Sequence, residues 1–221
     1  MALHIVVEGI DGSGKGTQAK RLSERFQQTG KSCELLSFPR YDDTRFGAAI
    51  GDFLNGRFGK LNEVHPQLAA LLYAGDRFES CDVLQRSLDE NDVLVCDRYV
   101  PSNIAHQTSK LDGEERSELV AWIENLEYEI YQLPKPDIVI LLDLPVRQAQ
   151  QLIAKKDPRS YTEREADLQE ADAGYLEGVR SMYLEVAASN VNWCLVSCLD
   201  GDRLRSIDEI HDEIWRQAQI S

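Results

Sequence analysis

Apolar residues follow two alternating rhythms along the chain: short unbroken runs, and longer stretches in which they return every three or four positions. The runs at residues 4–8, 32–38, 92–97, 137–142 and 193–198 read as buried strands, since a strand covered on both faces needs no polar alternation. Between the first two, Ala19, Leu22 and Phe26 recur at helical spacing up to Gly30, which suits a helix stop. A short helix is predicted from Phe46 to Leu54, a loop over 55–62, and one long helix from His65-Pro66 through Leu71, Leu72, Arg77 and Leu84 to about Asp89. Further helical patterns cover 102–107 and 114–131, the latter ended by Leu133-Pro134-Lys135-Pro136. The remaining ones run from Pro145 through Ala149, Leu152 and Ile153, over 170–188, and over 207–215.

Strands alternating with helices imply right-handed crossovers, hence a three-layer α/β fold: a central parallel sheet of about five strands with helices on both faces. Ligands of such sheets bind in the crevice at the carboxyl ends of the strands. At 221 residues, 43% hydrophobic and 28% charged, with no repeat, the chain is expected to form one domain over 1–221. No apolar stretch approaches a membrane span and residues 1–8 lack a signal-peptide pattern, so a cytoplasmic location is expected. A formal charge of −14 argues against a broad nucleic-acid or anionic-membrane surface, and a phosphorylated substrate must therefore meet local cations. The five cysteines show no zinc-like spacing and read as reduced, mostly buried thiols. Cys194 and Cys198 would lie ~13 Å apart along a regular strand, too far for a disulfide.

The chemistry begins after the first strand. Gly9-Ile10-Asp11-Gly12-Ser13-Gly14-Lys15-Gly16-Thr17 has the spacing of a phosphate loop between strand and helix. Its glycines let backbone N–H groups turn towards an anion, the following helix offers its positive end, and Lys15 reaches the terminal phosphates. The residue after the lysine is Gly16, with the hydroxyl displaced to Thr17, so a magnesium ion here would sit in a water-rich shell. Arg40 and Tyr41 fall just beyond the second strand, and Asp97-Arg98-Tyr99 at the end of the third forms a second candidate phosphate site.

Gly14-Lys15-Gly16-Thr17-Gln18 resembles the loop of nucleoside monophosphate kinases. Together with Phe38-Pro-Arg-Tyr41, Asp76-Arg77, Asp97-Arg-Tyr-Val-Pro-Ser-Asn103 and Leu133-Pro-Lys-Pro-Asp137, it makes nearly the whole chain resemble thymidylate kinase. The resemblance implies transfer of the γ-phosphoryl group of ATP to dTMP in dTTP biosynthesis, with Mg2+, in a homodimer built through helices. Lys15 and Arg98 would be catalytic, and Gly9 to Thr17 would hold the donor phosphates. Arg40, Arg77 and Arg98 would hold the dTMP side, Phe38 and Tyr73 would supply an aromatic platform, and Asn103 and Gln107 would read the base edge. Asp11 resembles a family residue near the acceptor sugar and metal; Asp97, Thr17 and Glu170 complete the candidate metal set. Asp143 reads as a helix cap. His106 lies where many family members carry tyrosine near the sugar.

The charged segment at about 155–169 resembles the family's flap. Because the phosphate loop lacks an arginine, Arg159 and Arg164 are the candidate transition-state cations delivered by flap closure. Two alternatives remain open on sequence: another nucleoside monophosphate kinase, and a nucleotide switch without turnover. The absence of the guanine-reading N-K-x-D motif of many GTPases counts against the switch.

Overall fold

The computed structural model describes residues 2–60, 63–154 and 172–219. Its strands β1 (Leu3–Glu8), β2 (Cys33–Ser37), β3 (Val93–Asp97), β4 (Ile138–Asp143) and β5 (Trp193–Ser197) form one parallel sheet in the order β2-β3-β1-β4-β5. The register brings their carboxyl ends level: Asp97 stands opposite Val7 and Ser37, and Asp143 opposite Ser197. The helices are α1 (Lys15–Gln28), α2 (Arg45–Leu54), α3 (Pro66–Glu79), α4 (Cys81–Glu90), α5 (Val100–Thr108), α6 (Gly113–Glu124), α7 (Val146–Ile153), α8 (Ala173–Ser189) and α9 (Ile207–Gln217).

Alternate residues of the central strands feed two cores, as a doubly covered sheet requires. Ile5, Val7, Val95 and Ile140 pack with Leu22 and Phe26 of α1, Val179 of α8 and Ile214 of α9. Val6, Leu94, Cys96 and Val139 pack on the other face with Leu84 of α4, Ile104 of α5 and Ile123 of α6. A smaller cluster joins Ile50, Phe53 and Leu54 of α2 to Ala69 of α3. All five cysteines are free thiols, with Cys33, Cys96 and Cys198 buried.

Four features differ from the sequence expectation. The long helix is broken at Ser80, which ends α3 and precedes α4 with φ −98° and ψ 4°. There Ser80 Oγ donates to the Asp76 carbonyl (2.9 Å) and accepts from Arg40 Nη1 (3.2 Å), so the hydroxyl competes with the helix ladder and anchors an arginine. The helix expected over 114–131 stays α-helical only through Glu124; Asn125–Ile130 is a π-helical turn, whose wider winding carries Glu127 into the interior. Asp143 does not cap α7. It is held bidentately by Arg180 of α8, at 2.7 and 3.1 Å. A small hairpin of β6 (Leu199–Asp200) and β7 (Arg203–Leu204) follows β5 and was not expected.

Candidate active site

The phosphate loop lies between β1 and α1. Gly14, in the left-handed region at φ 90°, precedes the first residue of α1, and no acidic side chain occupies that helix's first turn. A β carbon on Gly12 would stand 2.5 Å from the Ala149 carbonyl, so α7 presses on the loop where only glycine fits. Among the described residues a β carbon on Gly14 would meet nothing within 4 Å, which leaves that side of the loop open to a ligand. The buried Ser13 hydroxyl has no hydrogen-bond partner among the described residues, and a phosphate oxygen would supply one. These features fit a nucleotide's phosphates.

Lys15 and Arg98 converge on one carboxylate. Asp11 Oδ1 lies 3.3 Å from Lys15 Nζ and 2.6 Å from Arg98 Nη2, and Lys15 also donates to the Ile10 carbonyl. Arg98 thus pairs with Asp11 in the loop rather than with neighbouring Asp97. Its backbone is left-handed, with φ 68°, a conformation that costs a non-glycine residue of order 1–3 kcal/mol and is met mostly at functional sites. The guanidinium is fixed on its other side by Ser102 Oγ (3.1 Å) and His106 Nε2 (3.2 Å).

Glu8, the last residue of β1, holds this turn in place and was not recognised in the sequence. Fully buried, it accepts from the Tyr99 and Ser102 amides with one oxygen and from the Ser102 and Tyr183 hydroxyls with the other. It therefore caps the start of α5 from a different element. Burial raises its pKa above the ordinary carboxylate range, against the opposing pull of these donors and of Arg98. Only its position at the carboxyl end of a central strand could have signalled it.

His106 is buried, not at the surface. Its Nδ1 is 2.9 Å from the Tyr175 hydroxyl, which also donates to the His106 carbonyl at 3.2 Å. Burial and then the charge of Arg98 push its pKa well down, so the ring is neutral.

A second constellation surrounds α5. Arg77 is buried and pairs through Nε and Nη2 with both oxygens of Glu127, a residue that no motif in the sequence marks. Asn103 Nδ2 donates to the Ala70 carbonyl (3.0 Å) and to Glu127 Oε1 (2.8 Å), which fixes the amide orientation and leaves Oδ1 buried without a partner among the described residues. One turn on, Gln107 Oε1 accepts from Lys110 Nζ (2.8 Å), leaving Nε2 likewise buried without a partner among the described residues. Burial lowers the Lys110 pKa to about 8. An acceptor and a donor thus stand unmet at i and i+4 on one helix face.

The other expected site residues are placed as follows. Arg40 lies at the α3–α4 break, donating to Ser80 Oγ and pairing with Asp43 at 3.1 Å. Asp76, whose pKa is raised by burial, accepts from the Arg40 amide and the Thr44 hydroxyl. Phe38 is buried in the core, its ring centroid 6.0 Å from that of Tyr99, and Tyr73 packs beside the α2 cluster. Asp97 faces α1: its Oδ2 would lie 2.9 Å from a β carbon on Gly16, so glycine leaves room for the carboxylate there. Thr17 is exposed on α1. Among the described residues, no group of three or more His, Cys, Asp or Glu side chains is placed to hold a metal. The hard oxygen of Asp97 beside the loop fits a magnesium ion that takes its other ligands from phosphate and water. Arg159, Arg164 and Glu170 lie outside the described residues.

Known proteins resemble the chain in sequence and in fold. The thymidylate kinase family profile matches residues 7–214. A thymidylate kinase of Mycobacterium tuberculosis is 33% identical over 191 residues, covering 83% of this chain and 85% of the relative. A probable thymidylate kinase of Pyrococcus abyssi is 32% identical over 212 residues, covering 95% and 92%. The fold of Candida albicans thymidylate kinase superposes with a TM-score of 0.74 at 24% identity, covering 97% of this chain and 90% of that one. With the family profile matched over residues 7–214 and relatives at 33% and 32% identity covering 83% and 95% of it, the chain belongs to the thymidylate kinase family.

Proposed function

We propose that the chain transfers the γ-phosphoryl group of ATP to dTMP, giving dTDP and ADP. The observation that carries the choice of acceptor is the pair of unmet amide atoms on α5, Asn103 Oδ1 and Gln107 Nε2. Thymine offers an N3–H donor beside carbonyl acceptors, which complements an acceptor next to a donor. Cytosine presents an acceptor at N3 and would leave Asn103 Oδ1 facing another lone pair, a costly mismatch in a buried site. An assay with ATP and a panel of dTMP, dUMP, dCMP, AMP and GMP tests this: dTMP should have the highest kcat/KM, and equal or better turnover of AMP rejects it.

In this reading Lys15 and the start of α1 hold the donor phosphates, while Arg98 bridges donor and acceptor phosphates as charge spreads over the transferring group. Bound magnesium would neutralise donor charge, held by Asp97 with Asp11, Thr17 and Glu170 as further candidates. Arg40 would serve the acceptor phosphate, and Arg77, Phe38 and Tyr73 the base. Asn103→Ala should weaken dTMP recognition by ~1–3 kcal/mol, with less effect on ATP, because a buried partner on the base is left unsatisfied. Unchanged selectivity among pyrimidine monophosphates would assign Asn103 to structure alone.

Arg159 and Arg164 are proposed as transition-state cations, since Lys15 is the phosphate loop's single cation. Their loss should lower kcat and kcat/KM together rather than raise KM. Wild-type single-turnover rates in both single mutants and the double mutant would leave Arg98 and magnesium to carry the charge. The enzyme is proposed to work in the cytoplasm as a homodimer. Phe46, Leu68 and Phe78 on α2 and α3, all partly exposed, support the pairing of copies through these helices.

A further inference from the structure

We propose that Tyr175, in the first turn of α8, is a positioning residue for Arg98 and acts through His106. The hydrogen-bond roles along this chain are forced from one end. A guanidinium has donors only, so the 3.2 Å contact between Arg98 Nη1 and His106 Nε2 requires Nε2 to be the acceptor. In a neutral ring the proton then sits on Nδ1, which donates to the Tyr175 hydroxyl at 2.9 Å. With its lone pair so used, the hydroxyl sends its own proton to the His106 carbonyl at 3.2 Å. Each atom has one role: Arg98 requires the Nδ1-protonated tautomer, and Tyr175 supplies the acceptor that this tautomer needs on its other side.

The consequence falls on the orientation of Arg98. Its Nη1 is shared between Ser102 Oγ and His106 Nε2, and its Nη2 donates to Asp11. Ser102 belongs to the rigid cap made by Glu8, whereas the His106 ring could rotate or change tautomer if Nδ1 lost its acceptor. A ring presenting N–H to Arg98 would set donor against donor and turn the guanidinium away. The ring of Tyr175 also packs under Lys110 Nζ, 5.6 Å from its centroid, and beside His106 at 5.9 Å; phenylalanine retains both contacts. Removing the hydroxyl alone therefore isolates the positioning effect from packing.

The argument rests on Arg98 as the cation at the transferring group, and the test separates the two ideas. Tyr175→Phe is expected to lower the single-turnover rate about ten-fold while KM for dTMP stays within about two-fold, the loss expected for one buried hydrogen bond acting through orientation. On a His106→Leu background the same change should cost nothing further, and His106→Gln, whose amide oxygen reaches the place of Nε2, should retain more rate than His106→Leu. Nitrogen-15 NMR of the wild type should show Nδ1 protonated and Nε2 bare, with a mixture in Tyr175→Phe. A protonated Nε2 in the wild type, a wild-type rate in Tyr175→Phe, or an equal loss on the His106→Leu background overturns the proposal. If instead Arg98→Ala keeps its rate, the reading of Arg98 fails, and the NMR result still reports whether Tyr175 sets the tautomer.

Discussion

Lys15→Ala is expected to lower the single-turnover rate of phosphoryl transfer by about 10²–10³-fold, the range for removing one preorganised charge from developing negative charge. Thermal stability should change little. Lys15 pairs with Asp11, and Asp11 keeps Arg98 at 2.6 Å after the substitution, so no buried carboxylate is stranded. The ammonium is held inside the phosphate loop by the Ile10 carbonyl and the Asp11 carboxylate, so it is in place before the donor arrives. ATP affinity should fall less than the rate, since the start of α1 still offers its amides to phosphate. A near-normal rate in folded protein would remove Lys15 from the chemistry.

Glu127→Ala should produce the largest stability loss, about 3–5 kcal/mol, because it leaves the Arg77 charge buried without its counter-charge. Arg77 is 2% exposed; burial opposes its charge, and the paired Glu127 carboxylate more than offsets that opposition. In a domain of this size the midpoint should drop by roughly 6–20 °C. Urea unfolding with dTMP absent measures the effect, and a loss below about 1 kcal/mol would show that Arg77 finds another acceptor. The same carboxylate orients Asn103, so any folded variant should also lose selectivity for dTMP over dCMP.

These two sites differ in how legible they are in the sequence. Lys15 is visible because a phosphate loop is a local object: its glycines, lysine and flanking elements are contiguous, and each has its own physical reason to be there. The five strands are legible for a similar reason, since continuous apolar runs have few other homes. Glu127 and Glu8 are not legible, because a buried carboxylate is recognisable only by donors that arrive from distant elements. Glu8 draws its four from Tyr99, Ser102 and Tyr183, and Glu127 is turned inward by a π-helical turn that no periodicity announces. The break at Ser80 is hidden similarly: Arg77 and Leu84, seven apart, keep helical spacing across it, and the Ser80 hydroxyl that meets Arg40 there is not marked by any periodicity. Arg98, Asn103 and Gln107 stand out in motifs, but the contacts that orient them, from His106, Glu127 and Lys110 respectively, are made only by the fold.

The close approach of Asp97 to Gly16 restricts how this chain can vary over generations. A serine or threonine after the lysine is common in phosphate loops, yet here any β carbon at 16 would stand 2.9 Å from Asp97 Oδ2 and would have to rotate that carboxylate away. Because that oxygen is the outer end of a flexible side chain, the turn is small and the fold tolerates it; what changes is where the carboxylate stands beside the phosphate loop. The two positions are therefore coupled through the placement of the carboxylate rather than through folding, and a lineage that gains a hydroxyl at 16 should tend to vary at 97 as well.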